Sequence, residues 1–264
     1  MVPVKMRSVT IIFCIFPTVA LLLETDLQII NGKDATDGQF PWQAIITERQ
    51  TFDIRCSGAL ISYEWILTVA DCLIGAGKTN LILLGMADRE NATHGVVTIA
   101  NDYIVHENFT YGIPANNIAL VKLAKPVTSM LFQDYVKPIT LPEKKYKPGT
   151  KITVSGWGLT DDGTNSSTTT LKYTTLTKLN KKRCIQQFGV ANTKTGVFCA
   201  GDENKIKGPC DRDEGSPAVV KIKKNPILVG LENFISRLGC EKGNPSVYTD
   251  VFYYREWIRE KTGI

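Results

Sequence analysis

The chain has 264 residues, of which 43% are hydrophobic and 22% charged, and its formal net charge is +5. This composition is that of a globular chain that can bury a sizeable core, and it excludes a polar, highly charged disordered protein. The positive charge is modest, and no segment resembles a nucleic-acid-binding module.

The N-terminal segment is predicted to lie outside the folded domain. Basic residues precede an apolar run over residues 9–23 that Pro17 interrupts, a pattern typical of a secretory signal peptide. Small residues predict cleavage after Ala20, so that residues 1–20 are the signal peptide and 21–28 a short pro-segment. A membrane anchor is the alternative, but the run is short and interrupted for a bilayer that needs about 20 apolar residues. We expect a secreted, extracellular protein with no membrane partner.

Beyond that segment, short apolar runs alternate with turn-rich stretches. The runs are rich in Val, Ile, Leu and Thr and are bounded by Gly, Asn, Asp or Pro, a pattern typical of antiparallel strands in a sandwich or barrel. They cover residues 56–62, 65–70, 81–85, 118–124, 151–158 and 226–234. We therefore expect an all-β fold.

The cysteines fit a secreted protein with a disulfide framework. Of the seven, Cys14 lies in the predicted signal peptide, which leaves six whose connectivity the residues alone do not fix. Zinc binding is the weaker alternative, because the chain has no close Cys-x-x-Cys pair and only two histidines, His94 and His106. Sequons for N-glycosylation begin at Asn91, Asn108 and Asn165.

Basic residues gather in three stretches, at 144–151, 178–183 and 221–224. A solvated surface is the simpler interpretation of these stretches. The alternative is a patch that binds sulfated glycans or acidic partners.

Helical periodicity is expected only near the C-terminus. Val251, Tyr254, Trp257 and Ile258 recur at helical spacing, and Gly263 follows them. These residues would share one face of a helix, so we predict a terminal helix docked on the β-body.

Four segments resemble those of one family in content and order. They read IING at 29–32, GQFPWQ at 38–43, VSGWG at 154–158 and PSVYTDV at 245–251. In these segments the chain is similar to chymotrypsin- and trypsin-like serine proteases, and the resemblance spans residues 29–264. It implies two six-stranded antiparallel barrels packed together, with the active site between them and a C-terminal helix.

The same resemblance implies one disulfide pairing. The pairs would be Cys56–Cys72, Cys184–Cys199 and Cys210–Cys240. Where many relatives have a further disulfide, this chain has Ile152 and Val220, two apolar residues that can pack in its place.

The chain departs from the family at all three catalytic positions. In the segment ILTVADC, Asp71 stands where the family has its general-base histidine, and in NNIAL, Asn117 replaces the orienting aspartate. In CDRDEGSP, Glu214 replaces the nucleophilic serine. Acyl transfer by this fold needs a hydroxyl nucleophile, a base that works near neutral pH and a group that orients the base. We therefore expect that the protein is not an enzyme.

Other positions of the family's site also differ. Arg212 replaces an oxyanion-hole glycine whose conformation a side chain penalises, and we expect its cation or a water network to neutralise the two acids of the lost triad. Gly208 stands where trypsin-like relatives have an aspartate. Ile235 replaces a wall glycine and should fill the mouth of the specificity pocket, and Ser246 stands where another pocket glycine often lies.

The family's activation pair is kept. In relatives, cleavage before the residue matching Ile29 frees an amine that pairs with the aspartate matching Asp213. Gln28 precedes that bond here, where trypsin-like activators require Lys or Arg. We expect Ile29 often to remain internal.

The expected function is binding by a secreted, catalytically inactive serine protease homolog. It would regulate or decoy an immune or venom-related proteolytic cascade through a protein partner, with no cofactor, metal or nucleic acid. Three alternatives stay open: an atypical hydrolase using the paired acids Asp71 and Glu214, a cation binder that adds Asn117 to them, and a glycosaminoglycan binder using the lysine stretches.

Overall fold

The computed structural model describes residues 29–264, with gaps at 49, 50, 52, 76–79, 92, 129–133, 164–166, 194 and 205. The predicted signal peptide, the pro-segment and the sequon at Asn165 lie outside the described residues. Asn91 and Asn108 of the other two sequons are exposed. In the part of the chain that the structure describes, no helix is long and apolar enough to cross a membrane.

The first half of the chain forms a closed antiparallel barrel of six strands in the order β2-β3-β4-β7-β6-β5. Pairing of β5 with β2 closes the ring. The strands of this half, including the short β1 that lies outside the barrel, are β1 (Lys33–Asp34), β2 (Gln43–Thr47), β3 (Ile54–Ser62), β4 (Trp65–Thr68), β5 (Leu81–Leu84), β6 (Val96–Val105) and β7 (Ala119–Leu123).

The second half forms another six-stranded antiparallel ring, in the order β8-β9-β10-β13-β12-β11, and β11 pairs with β8 to close it. Strand β1 adds to it through β9. Its strands are β8 (Lys151–Gly156), β9 (Lys172–Lys178), β10 (Val197–Gly201), β11 (Pro217–Ile222), β12 (Asn225–Phe234) and β13 (Ser246–Asp250). The two-barrel prediction is confirmed, and each predicted apolar run contains a strand.

Apolar side chains pointing inward hold each barrel together and also join the two. Ile46, Leu60 and Leu120 of the first barrel are fully buried, and each such side chain contributes roughly 1.5–3 kcal/mol by leaving water. The same core cluster continues to Leu228 and Leu231 of β12. The barrels therefore pack closely, and the cleft between them lies on a rigid base.

The covalent cross-links agree with the pairing that the resemblance implies. Disulfides join Cys56 to Cys72, Cys184 to Cys199, and Cys210 to Cys240. Ile152 and Val220 are both buried in the core cluster of the second barrel. Apolar packing thus occupies the place of the additional disulfide.

Two α-helices occur in the described residues, and the sequence predicted only one of them. The C-terminal helix α2 (Arg255–Thr262) ends at Gly263 in the left-handed conformation, and Ile258 is fully buried. The helix α1 (Lys181–Phe188) was not expected, because its eight residues are mostly polar. Of these residues, only Cys184 is buried. Its beginning is stabilised by Asn180, whose side chain accepts a hydrogen bond from the Arg183 amide.

Candidate functional site

The first barrel contributes Asp71 and Asn117 to the cleft between the barrels. Asp71 lies in a short 3-10 helix (Ala70–Leu73), and Asn117 lies two residues before β7. The Asp71 amide donates to Asn117 Oδ1 at 3.1 Å, and Asn117 Nδ2 donates to Asp71 Oδ2 at 3.0 Å. The two replaced residues therefore form a reciprocal pair.

Asn117 is also held by a buried network from the second barrel. Its Nδ2 donates to Asn233 Oδ1 at 2.9 Å, and Asn233 Nδ2 donates to the Pro114 carbonyl and to Thr249 Oγ1. Thr249 Oγ1 in turn donates to the Asn117 carbonyl at 2.8 Å. Because the Pro114 carbonyl can only accept and the Asp71 amide can only donate, the network fixes the orientation of both side-chain amides. An aspartate at position 117 could not donate to Asp71.

Glu214 lies in the turn that leads into β11 and is half-buried. Its carbonyl accepts a hydrogen bond from the Ser57 amide at 2.9 Å, which joins the turn to β3. Burial, together with the nearby carboxylates of Asp213, Asp211 and Asp71, raises the pKa of its carboxyl to about 7. At neutral pH the group is thus partly protonated.

Arg212 does not lie over the acids, so the prediction that its cation neutralises them is wrong. Its side chain is exposed and Nη1 donates to Ser167 Oγ at 3.2 Å. In this exposed position the guanidinium keeps its hydration and bonds the Ser167 hydroxyl, whereas burial beside the cleft would cost it hydration free energy. Its backbone has a φ of 73°, the left-handed conformation in which a side chain is penalised, as the sequence predicted.

Glu232 is a site residue that sequence reasoning missed. It lies on β12 directly before Asn233, it is 1% exposed, and neither of its carboxyl oxygens has a hydrogen-bond partner in the structure. Burial raises its pKa well above the usual value, and the charge of Glu214 raises it further. The signal was available, since an acid interrupts the apolar run PILVGLENF, where a strand buried on both faces has no place for a charge.

Asp213 and Ile29, the predicted activation pair, are both buried. The Asp213 carboxylate accepts hydrogen bonds from the Gly158 amide at 2.8 Å and from the Cys210 amide at 3.0 Å. Burial still raises the pKa of Asp213 to about 7. A side chain on Gly158 would collide with this carboxyl, because its Cβ would lie 2.5 Å from Asp213 Cγ.

The predicted pocket residues lie around the cleft in different ways. Gly208 pairs with Ile30 in an isolated antiparallel bridge, and Ser246 is buried with its Oγ donating to Tyr248 Oη at 2.9 Å. Ile235 packs partly buried beside Ile30 and the Cys210–Cys240 disulfide.

The open part of the cleft is a cavity of about 500 Å³. Asp71 and Asn117 line it, and its wall also includes Phe109, Phe234 and Ile235. This is the size of a pocket for a small ligand or for a few side chains of a peptide. Its lining combines apolar side chains with the polar groups of Asp71 and Asn117.

Neither histidine lines the cleft cavity. The His94 ring stacks on Tyr135 at 4.2 Å, and the His106 ring packs against Tyr254 and Trp257 of the C-terminal segment. Both rings pack on aromatic side chains. Among the described residues the site therefore contains acids and amides in place of an imidazole and a hydroxyl.

A group of possible metal ligands lies outside the cleft. One group of three acid, cysteine or histidine ligand atoms lies within 4.8 Å in the described part of the chain, and it consists of Asp162, Cys210 and Cys240. Those two sulfurs form a disulfide and are not thiolate ligands. The acids of the cleft do not converge in this way.

Comparison with known proteins gives matches over most of the chain. A family model described as Trypsin matches residues 29–258. Brachyurin from Leptuca pugilator is 32% identical over 236 residues, which cover 89% of this chain and 99% of that protein. Collagenase from Hypoderma lineatum is 33% identical over 245 residues, which cover 90% of this chain and 88% of that protein. A solved structure named HL collagenase is similar with a TM-score of 0.77 at 32% identity, covering 89% of this chain and 99% of that one.

Proposed function

This chain belongs to the trypsin family of serine proteases, and we propose that it acts by binding and does not cleave peptide bonds. The observation that carries the proposal is the reciprocal pair of Asp71 and Asn117. In this pair the former base position accepts hydrogen bonds and has no imidazole to take a proton from a nucleophile. Glu214 offers a weakly nucleophilic carboxyl in place of a hydroxyl.

The partner that fits best is a protein whose extended segment enters the cleft. Ile113 and Leu238 line the cavity and are 45% and 69% exposed, which leaves apolar surface for a partner to cover. A homolog that keeps the cleft but not the chemistry would hold a protease, a substrate or an inhibitor of a cascade without consuming it. Regulation or decoy action in an immune or venom-related cascade follows from such binding.

The absence of catalysis is tested with purified mature protein, a broad peptide library and a fluorophosphonate probe that labels reactive serines. We expect no cleavage above the Glu214→Ala variant and no labelling, while an active trypsin run in parallel gives both. Cleavage that Glu214→Ala abolishes, or labelling of any serine, would refute the proposal.

The binding role is tested by affinity capture from the source fluid, with wild type and an Ile113→Asp/Leu238→Asp variant as baits. Charges in an apolar contact should weaken capture at least about tenfold. The matched control is Val97→Asp, at an exposed apolar residue of β6 that does not line the cavity. Equal capture by all three baits would show that the cleft is not the binding surface.

A second candidate is acid–base chemistry by Glu214. A carboxyl with a pKa of about 7 can donate and accept protons near neutral pH, as general acids of some hydrolases do. The test is a screen of glycoside and ester substrates with wild type and Glu214→Gln. Turnover that falls at least about a hundredfold in the variant would support this candidate, and equal rates would exclude it.

A further inference from the structure

We propose that one end of the second barrel is a binding surface for sulfated glycosaminoglycan, formed by three basic segments that are far apart in the sequence. The segments are residues 144–147, 181–183 and 221–224, here called the basic rim. Each contributes three Lys or Arg side chains and no acid, and all nine side chains are exposed. This inference is independent of the function proposed for the cleft.

The first two segments lie together because β9 pairs with the loop before β8. The Lys178 amide donates to the Thr150 carbonyl at 2.9 Å, and the Gly149 amide donates to the Lys178 carbonyl at 2.8 Å. Strand β9 ends there and α1 begins three residues later, at Lys181. The loop at 144–147 and the first turn of α1 therefore face each other across the end of β9.

The third segment joins them through β8 and β12. Antiparallel β8 and β11 pair Thr153 with Val219. The exposed Lys151 lies two residues earlier in β8 and the exposed Lys221 two residues later in β11, so both come to the same edge of the sheet. On the other side, the Leu228 amide donates to the Thr140 carbonyl at 2.9 Å. The β11–β12 turn is thus tied to the chain that leads into 144–147.

A cavity of about 530 Å³ opens between the first two segments of the rim. Lys145 and Lys181 lie on its border, and Tyr146 and Tyr253 are also part of its wall. At its floor Lys178 is only 5% exposed, with Nζ 4.0 Å from the centre of the Phe198 ring.

The floor of the cavity is close to electrically neutral, because Asp250 Oδ2 lies 3.9 Å from Lys178 Nζ. The exposed lysines of the rim therefore provide the positive charge available to a ligand. Glu203 forms an ion pair with Lys151, outside the three segments, and its carboxylate also attracts Arg183 of the second segment. The rim as a whole carries a strong excess of positive charge.

A sulfated glycan is the polyanion whose chemistry fits. Lysines bind sulfate as compact point charges and need no fixed orientation. A linear chain with repeated charges can contact all three segments at once, whereas a single anion could reach only one. The three disulfides indicate an oxidising compartment, where sulfated glycans are the abundant polyanions.

The test is titration of heparin into the full mature protein at several salt concentrations. The rim variant Lys145→Ser/Lys181→Ser/Lys223→Ser removes one lysine from each segment. The control Lys33→Ser/Lys125→Ser/Lys242→Ser removes the same charge from exposed lysines elsewhere. We expect the rim variant to bind heparin at least about tenfold more weakly at 0.15 M salt. The slope of log Kd against log salt concentration should fall by about 2–3 in this variant. The heparin affinity of the control should change less than about twofold.

Several results would overturn the proposal. These are no heparin binding by wild type, an equal loss in both triple variants, or a loss that comes from one segment alone when the three lysines are replaced singly. Binding to phosphatidylserine vesicles or DNA that heparin does not displace would also overturn it. An unchanged unfolding temperature in the variants shows that the fold is intact. Since no rim lysine lines the cleft cavity, failure here leaves the cleft proposal untouched.

Discussion

The two halves of the cleft satisfy their buried polar groups differently. On the first-barrel side, Asp71 and Asn117 exchange hydrogen bonds and join the Asn233 network. On the second-barrel side, Glu232 is buried with both carboxyl oxygens unpartnered, and Glu214 lies near it. The replacements on the first side compensate one another, whereas the acids on the second side favour protonation. One half of the site is thus held by hydrogen bonds, whereas the stability of the other depends on pH.

The largest effect is expected from Asn117→Asp, which restores the residue of the family. Two carboxyl groups would face each other where a 3.0 Å hydrogen bond now lies, and Asn233 would lose the donor to its Oδ1. We expect the free energy of unfolding at pH 8 to fall by about 2–4 kcal/mol, measured by urea denaturation.

The control for this prediction is the double variant Asp71→His/Asn117→Asp. An imidazole can donate to the new carboxylate, so the double variant should recover at least about 1 kcal/mol relative to the sum of the single changes. Asn101→Asp, at an exposed position, should change little. Additive losses in the double variant would contradict the view that the two replacements compensate one another.

On the second-barrel side, Glu232→Val should stabilise the protein. It removes a carboxyl with no hydrogen-bond partner from a fully buried position, so the free energy of unfolding should rise by about 1–3 kcal/mol at pH 8. The exposed Glu241→Val is the matched control and should bring no gain. A destabilised Glu232→Val variant would indicate that the carboxyl binds a partner.

The same acids predict the pH dependence of wild-type stability. Burial raises the pKa of Asp213 and Glu214 to about 7, whereas in an unfolded chain such groups lose their protons near pH 4. Between these values the folded state holds more protons than the unfolded state, so stability falls as pH rises from about 4 to 7. Unfolding at pH 5 and pH 8 should show this decrease, with a smaller difference in Glu232→Val. Greater stability at pH 8 would contradict it.

The smallest effect is expected from Arg212→Gly. Arg212 adopts a φ of 73°, which glycine adopts without strain, and its exposed side chain donates a hydrogen bond to the Ser167 hydroxyl. We expect a gain of roughly 0.5–1 kcal/mol, measured by thermal unfolding. Asp211→Gly, one residue earlier at an ordinary φ, should lose stability instead, and a gain in both would show that backbone strain is not the cause.

Much of the scaffold could be predicted from the sequence, because its signals are local. Apolar runs bounded by turn residues gave the strands, and the spacing of Val251, Tyr254 and Ile258 gave the terminal helix. The disulfides followed from the resemblance and agree with the structure. Helix α1 was missed because a short polar helix has little periodicity, and its Asn180 cap is a single residue.

The sequence by itself determined which chemical groups stand at Asp71, Asn117 and Glu214. Only the tertiary structure decided how those groups pair, where Arg212 points and that Glu232 joins them. It alone brought three distant basic segments to one end of a barrel. The physical reason is that hydrogen bonds, burial and charge depend on distances between residues far apart in the chain, and local sequence does not specify those distances.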